Sequence, residues 1–202
     1  MNAKKLSFLL LILVAVACTN RSTSSEQDEM RHWNNVLQQI NALLLENKAR
    51  QTLDLAKQTL PEILESAEKN GTTDTLIYYA RKIFNACGNN YINTKQYKDG
   101  IDYMDSIGNH PLIREHCPHE LLSFKAGLNQ LYGNNPEAVR LAEDYLQLPV
   151  CTSANDFIRQ AEIISGVYMY SGNNLPKAIQ ILEKAIDVYR KGGNFPNMLR
   201  IM

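Results

Sequence analysis

The chain has 202 residues, 45% of them hydrophobic and 21% charged, and its 21 basic residues are balanced by 21 acidic ones. That is enough chain for one domain with a substantial core. It leaves no basic excess to neutralise phosphates, so a nucleic-acid partner is not expected.

In chain order, the first element stands outside the fold. Lys4 and Lys5 precede the apolar run LSFLLLILVAVA over 6–17, and Cys18 follows directly. That run is shorter than the roughly 20 residues that cross a bilayer, but it suits the core of an export signal. The stretch AVAC at 15–18 resembles the lipobox of bacterial lipoproteins, in which small residues precede an acylated cysteine. The resemblance implies a signal peptide over 1–17 and lipidation (palmitate-type acyl chains) at Cys18. It also implies a membrane anchor in the bacterial cell envelope. Each buried methylene of an acyl chain contributes about 0.8 kcal/mol, so more than one chain holds firmly. No acidic residue follows Cys18 directly, which favours an anchor facing the periplasm. The polar run TNRSTSSEQDE then reads as a tether over 18–28, because it has no apolar surface to offset its ordering entropy. Loss of Lys4 and Lys5 leaves the mature chain slightly acidic, and steering by net charge is not expected.

From 29 to 191 the apolar spacing is helical, with no alternating strand pattern. Short Gly/Asn/Pro stretches punctuate it: GTTD at 71, GNHP at 108, GNNP at 133, SGNNLP at 171 and KGGNFP at 191. Pro136 and Pro176 sit where a helix begins, since a first-turn N–H has no intrahelical partner to lose. Aligning the segments on these turns exposes a repeat. Gly100, Ala138 and Ala178 open the second helices at intervals of 38 and 40 residues. Tyr91, Asn129 and Tyr168 recur in the first helices at 38 and 39. A fixed period near forty predicts helical hairpins stacked in series, each covering the apolar face its neighbour leaves bare. Gly88, Ala126 and Ser165 in first helices are the small residues expected to let paired helices approach closely.

The pattern resembles the tetratricopeptide repeat. Residues 161–190 match it best, with Ser165, Tyr168, Gly172, Ala178, Leu182 and Ala185, although Asn173 and Asn174 lengthen the turn by one residue. Residues 84–107 follow with Gly88, Tyr91, Tyr97, Gly100 and Met104, with Lys95 in place of the turn glycine. Residues 122–147 carry Asn129 for the tyrosine and Tyr145 for an alanine. A degenerate first hairpin covers 30–69, with Ala49, Leu53, Ala56 and Pro61 in its second helix. The resemblance implies an all-α, TPR-like solenoid of about four hairpins. Together with the lipobox, it is similar to the periplasmic sensor regions of Bacteroidetes two-component regulators. The segment 192–202, which ends in the apolar stretch NFPNMLRIM (194–202), reads as the start of a further helix. A truncated array, or an edge that docks on another chain, is expected there.

One segment has chemical potential. HPLIREHCPHE gathers three of the four histidines beside a cysteine, and His116, Cys117 and His119 are its candidate metal ligands. The HCPH spacing does not fit the paired ligands of structural zinc sites, so a polar loop between repeats and no metal are expected. Cys87 is expected in the core, and a bridge between Cys117 and Cys151 needs neighbouring loops to come unusually close. No nucleophile, phosphate loop or HExxH motif occurs, so neither catalysis nor a cofactor is expected.

Binding remains. The family resemblance implies a concave face of first helices carrying Lys82, Asn85, Asn89 and Ile92, then Glu120, Ser123, Gly127 and Gln130, then Arg159, Glu162, Gly166 and Met169. The family's clamp for C-terminal carboxylates pairs Lys with Asn. Here the corresponding pairs are Asn85/Asn89, Ser123/Gly127 and Glu162/Gly166, so that clamp is absent. Lys82, Asn85, Asn89, Gln130, Arg159, Glu162 and Met169 are the candidate contacts for an envelope protein or peptide. The expected function is non-catalytic recognition by a tethered sensor module, with outer-membrane assembly as the alternative and metal binding through HCPH as a third.

Overall fold

The computed structural model describes residues 27–149 and 154–192, and these are helical throughout, with short connections. The elements are α1 over 27–45, α2 (Ala49–Asn70), α3 (Asp74–Asn93), α4 (Tyr97–Ile107), α5 (Pro111–His116), α6 (Pro118–Tyr132), α7 (Asn135–Gln147), α8 (Ala154–Tyr170) and α9 (Leu175–Gly192). Helix α1 already includes residues 27 and 28, assigned above to the tether. Among the described residues, no helix is long and apolar enough to cross a membrane.

Four turns divide the long helices into pairs, and all four are built alike. Asn47, Lys95, Gly133 and Asn173 each adopt a left-handed backbone, with φ of 56°, 58°, 96° and 44°. At three of them an amide five residues on reaches back to the first helix: Lys48 N to Leu43 O at 2.9 Å, Gln96 N to Tyr91 O at 3.1 Å and Asn134 N to Asn129 O at 2.8 Å. This bond satisfies a terminal carbonyl that helix geometry leaves without an intrahelical donor. In the last turn the closing bond runs from Asn174 N to Tyr168 O, one residue longer, as the extra asparagine predicts. The carbonyls at 91, 129 and 168 are the positions whose spacing revealed the repeat. Only glycine adopts this backbone without strain, so Lys95 and the asparagines each carry a local cost that closing the hairpin offsets.

Helix starts follow the sequence signals. Thr73 caps α3 by accepting from Leu76 N at 3.2 Å, Pro111 and Pro118 open α5 and α6, and Pro136 and Pro176 are second residues of α7 and α9. The segment HPLIREHCPHE is not a loop. Its first half folds as α5, because Leu112, Ile113 and Cys117 are apolar and bury themselves in the core.

The pairs lean on one another in order. Helix α1 joins α2 through Ser66, which donates to Glu29 at 2.8 Å, and meets α3 where the Trp33 and Tyr79 rings lie 5.8 Å apart. Beyond that, α2 packs on α3, α3 and α4 on α6, and α6 and α7 on α8. Two buried clusters result. One runs from Trp33 through Leu60, Ile83 and Tyr91 to Phe124 and Leu128; the other from Ala126 through Leu141 and Ile164 to Ala185. Helix α6 supplies side chains to both.

The small residues set the spacing, though not quite as expected. Gly100 does face its own pair: a Cβ there would lie 3.0 Å from Tyr91 Cβ. Gly88 instead faces the next pair, where a Cβ would fall 2.4 Å from the Phe124 ring. Tyr145 replaces the expected alanine because its ring is buried and its hydroxyl donates to Gln160 Oε1 on α8 at 3.1 Å, across to the next pair.

Gly88→Val drives a branched side chain into the Phe124 ring and is expected to lower stability by about 1–3 kcal/mol in urea unfolding. An unchanged midpoint contradicts this contact. Glu143 is held below the ordinary carboxylate range by its bond to Lys177 of α9. A depressed folded-state pKa stabilises the protein above the unfolded value and is lost as pH falls. Thermal unfolding midpoints should therefore drop on acidification toward pH 4, less steeply in Glu143→Gln.

Candidate functional site

Three first helices, α3, α6 and α8, lie side by side, with α6 touching both neighbours. Asn89 and Arg159 are 70 positions apart, yet Arg159 Nε donates to Asn89 Oδ1 at 2.8 Å. Asn89 Nδ2 in turn donates to Asn85 O at 2.9 Å, and Arg159 Nη1 lies 3.4 Å from Glu162 Oε2. Asn85, Asn89, Arg159 and Glu162 thus form one connected polar surface. Gln130 of α6 lies against α8, its Oε1 3.8 Å from where a Cβ on Gly166 would stand. Met169, 38% exposed, is farther along α8.

The middle helix departs from expectation. Glu120, Ser123 and Gly127 were placed on the exposed face by resemblance, but all three are buried. Gly127 lies under α8, where a Cβ would meet Ile163 Cγ2 at 2.7 Å. Ser123 turns its hydroxyl back to Glu120 O at 3.0 Å. Glu120 is 2% exposed, with Oε1 3.2 Å from Arg81 Nε, and Arg81 Nη2 also donates to His116 O at 2.6 Å. These three residues serve packing. Arg159 of α8 reaches Asn89 of α3 directly.

Asn85 and Asn89 also border a cleft of about 500 Å³ between α3 and α1. Leu37, Ile40 and Leu44 of α1 form its apolar wall, and α3 presents Lys82, Asn85 and Asn89 with three residues not anticipated above: Tyr78, Asn90 and Asn93. Asn90 is wholly buried. Its Nδ2 donates to Ala86 O at 2.8 Å, while its Oδ1 has no protein donor. A buried acceptor left in this state costs about 1–3 kcal/mol. Lys82 Nζ sits 5.8 Å from the centroid of the Tyr78 ring, which is 52% exposed. The repeat alignment missed Asn90 because it follows one face per helix, and missed Asn93, a turn beyond Asn89 on that same face, because its last position on α3 is Ile92. The run NN–NT was the only signal.

The reactive side chains are spread out. Cys87 is buried beside the Tyr103 hydroxyl, and burial pushes its thiol up to about 12, far from the thiolate a nucleophile needs. Among the described residues, no group of three His, Cys, Asp or Glu side chains is placed to hold a metal. His116 offers its carbonyl to Arg81, Cys117 is buried, and His119 lies 2.6 Å from Pro149 O with its ring edge-on to Tyr145. Cys18, Cys151 and the terminal apolar stretch from 193 lie outside the described residues. No family model, curated protein or solved structure matches this chain.

Glu120→Ala leaves Arg81 facing a void in a largely dry site and should cost about 2 kcal/mol in chemical denaturation, less than a fully enclosed pair because Arg81 keeps some solvent. Glu120→Gln, which retains an acceptor, should lose less. Equal losses rule out the ion pair as the cause.

Proposed function

We propose that this chain is a non-catalytic lipoprotein of the bacterial envelope, tethered through Cys18, whose TPR-like hairpins recognise a segment of another envelope protein. The single observation supporting it is the hydrogen bond from Arg159 to Asn89. It joins first helices two pairs apart, so that Asn89 and Arg159, both chosen from the sequence, meet. Stacked pairs with this connectivity offer a continuous face of the size an extended segment or partner helix covers. The mixture of amides, one cation, one carboxylate and Met169 suits a partner recognised by main-chain groups and apolar side chains. A sensor role fits such a module, with its signal passing through the partner that it recognises.

The test is in-cell crosslinking followed by mass spectrometry. Combined Asn89→Ala, Gln130→Ala, Arg159→Ala and Met169→Ala should reduce recovery of the main crosslinked partner at least 10-fold while the chain stays in the membrane fraction. An unchanged set of partners rejects the face. Cys18→Ala should release the chain from membranes, and continued membrane retention rejects the anchor. Barrel proteins among the partners would favour envelope assembly over sensing.

A further inference from the structure

We infer that the cleft between α1 and α3 is a second binding site, built for a short uncharged saccharide. This goes beyond the protein-recognition reading, which concerns the face running from α3 to α8. Five asparagines line the cleft: Asn41, Asn85, Asn89, Asn90 and Asn93. An amide carries an acceptor and two donors without charge; Asn89 Oδ1 is already held by Arg159, and Asn89 and Asn90 each spend one N–H on a main-chain carbonyl, which leaves the remaining groups for a ligand. Vicinal hydroxyls of a sugar ring donate and accept in the same way, whereas phosphate and carboxylate ligands are matched by Arg and Lys forks. No Asp or Glu lines the cleft, and Lys82, its one cation, rests against the Tyr78 ring.

The opposite wall completes the match. A pyranose ring carries an apolar C–H face beside its hydroxyl rim, and Leu37, Ile40 and Leu44 supply an apolar surface facing the asparagines. Tyr78 stands half-exposed at the same cleft, an aromatic plate with a polar tip. The volume falls within the range of small-molecule sites. Asn90 lines the cleft too, and its buried Oδ1 has no protein donor, so a ligand hydroxyl that reached it would satisfy an acceptor the fold leaves open. An extended peptide fits less well, because the lining offers side-chain amides and apolar groups rather than a sheet edge or helix groove for main-chain pairing.

The experiment is ligand-observed NMR and calorimetry on the full chain, titrated with chitobiose, cellobiose and maltotriose, and in parallel with uncharged hexapeptides. At least one sugar should bind with a Kd of about 1 mM or tighter. Tyr78→Ala and Asn93→Ala, both at exposed positions, should each weaken it at least 10-fold while circular dichroism stays unchanged. Asn90→Leu should abolish binding yet raise the thermal midpoint, because it removes an unsatisfied acceptor. No sugar binding to folded protein at about 10 mM overturns the inference, as does binding that all three variants leave intact. Peptide binding lost in the same variants overturns the ligand class. Partner crosslinking that survives Tyr78→Ala and Asn93→Ala keeps the protein-recognition reading standing whichever way the sugar result falls.

Discussion

Phe124 projects from α6 into the space a side chain on Gly88 would occupy, edge-on to Phe84 at 6.3 Å between ring centroids. That contact fixes how closely the second pair of helices meets the third, and most later geometry follows from it. With α3 and α6 this close, Leu128 enters the same cluster as Tyr91, and Glu120 comes within reach of Arg81. An alanine at 88 would require the ring to move, and interiors packed to crystal-like density absorb such shifts poorly. The small residues are therefore spacers between units as much as within them. Gly127 does the same work one step further on, beneath Ile163.

Most of the architecture was legible in the sequence because the repeat leaves a trace at its turns. Tyr91, Asn129 and Tyr168 were picked out by interval alone, and each supplies the carbonyl that closes a hairpin. Asn173 and Asn174 were read as one residue too many, and the closing bond is correspondingly longer. Helix α5 was not legible. Leu112 and Ile113 are only two apolar residues in a run rich in His, Pro and charge, and six residues are too few to show a helical period. What places them is packing against both α3 and α6, a tertiary fact.

The site divides the same way. Asn89 on α3 and Arg159 on α8 were picked out by spacing along a helix face, and their meeting follows from that arithmetic. On α6 the arithmetic failed, because the middle helix of three is flanked on both sides and the positions that face outward elsewhere are covered there. The amide-lined cleft escaped notice for a different reason. It is made jointly with α1, whose sequence departs furthest from the repeat, so no alignment brings Leu37 and Asn41 opposite Asn90.

Helix α6 contributes Phe124 and Leu128 to one buried cluster and Ala126 to the other. A linear array whose blocks own separate interiors can fray from either end, one block at a time. A rod that serves as common wall to both interiors removes that freedom at the midpoint. Losing it strips both halves at once, so the two melt as a unit instead of unzipping in stages. The cost of that cohesion is intolerance: neighbouring positions 124, 126 and 128 answer to different surroundings, and drift at one cannot be absorbed by its own block alone.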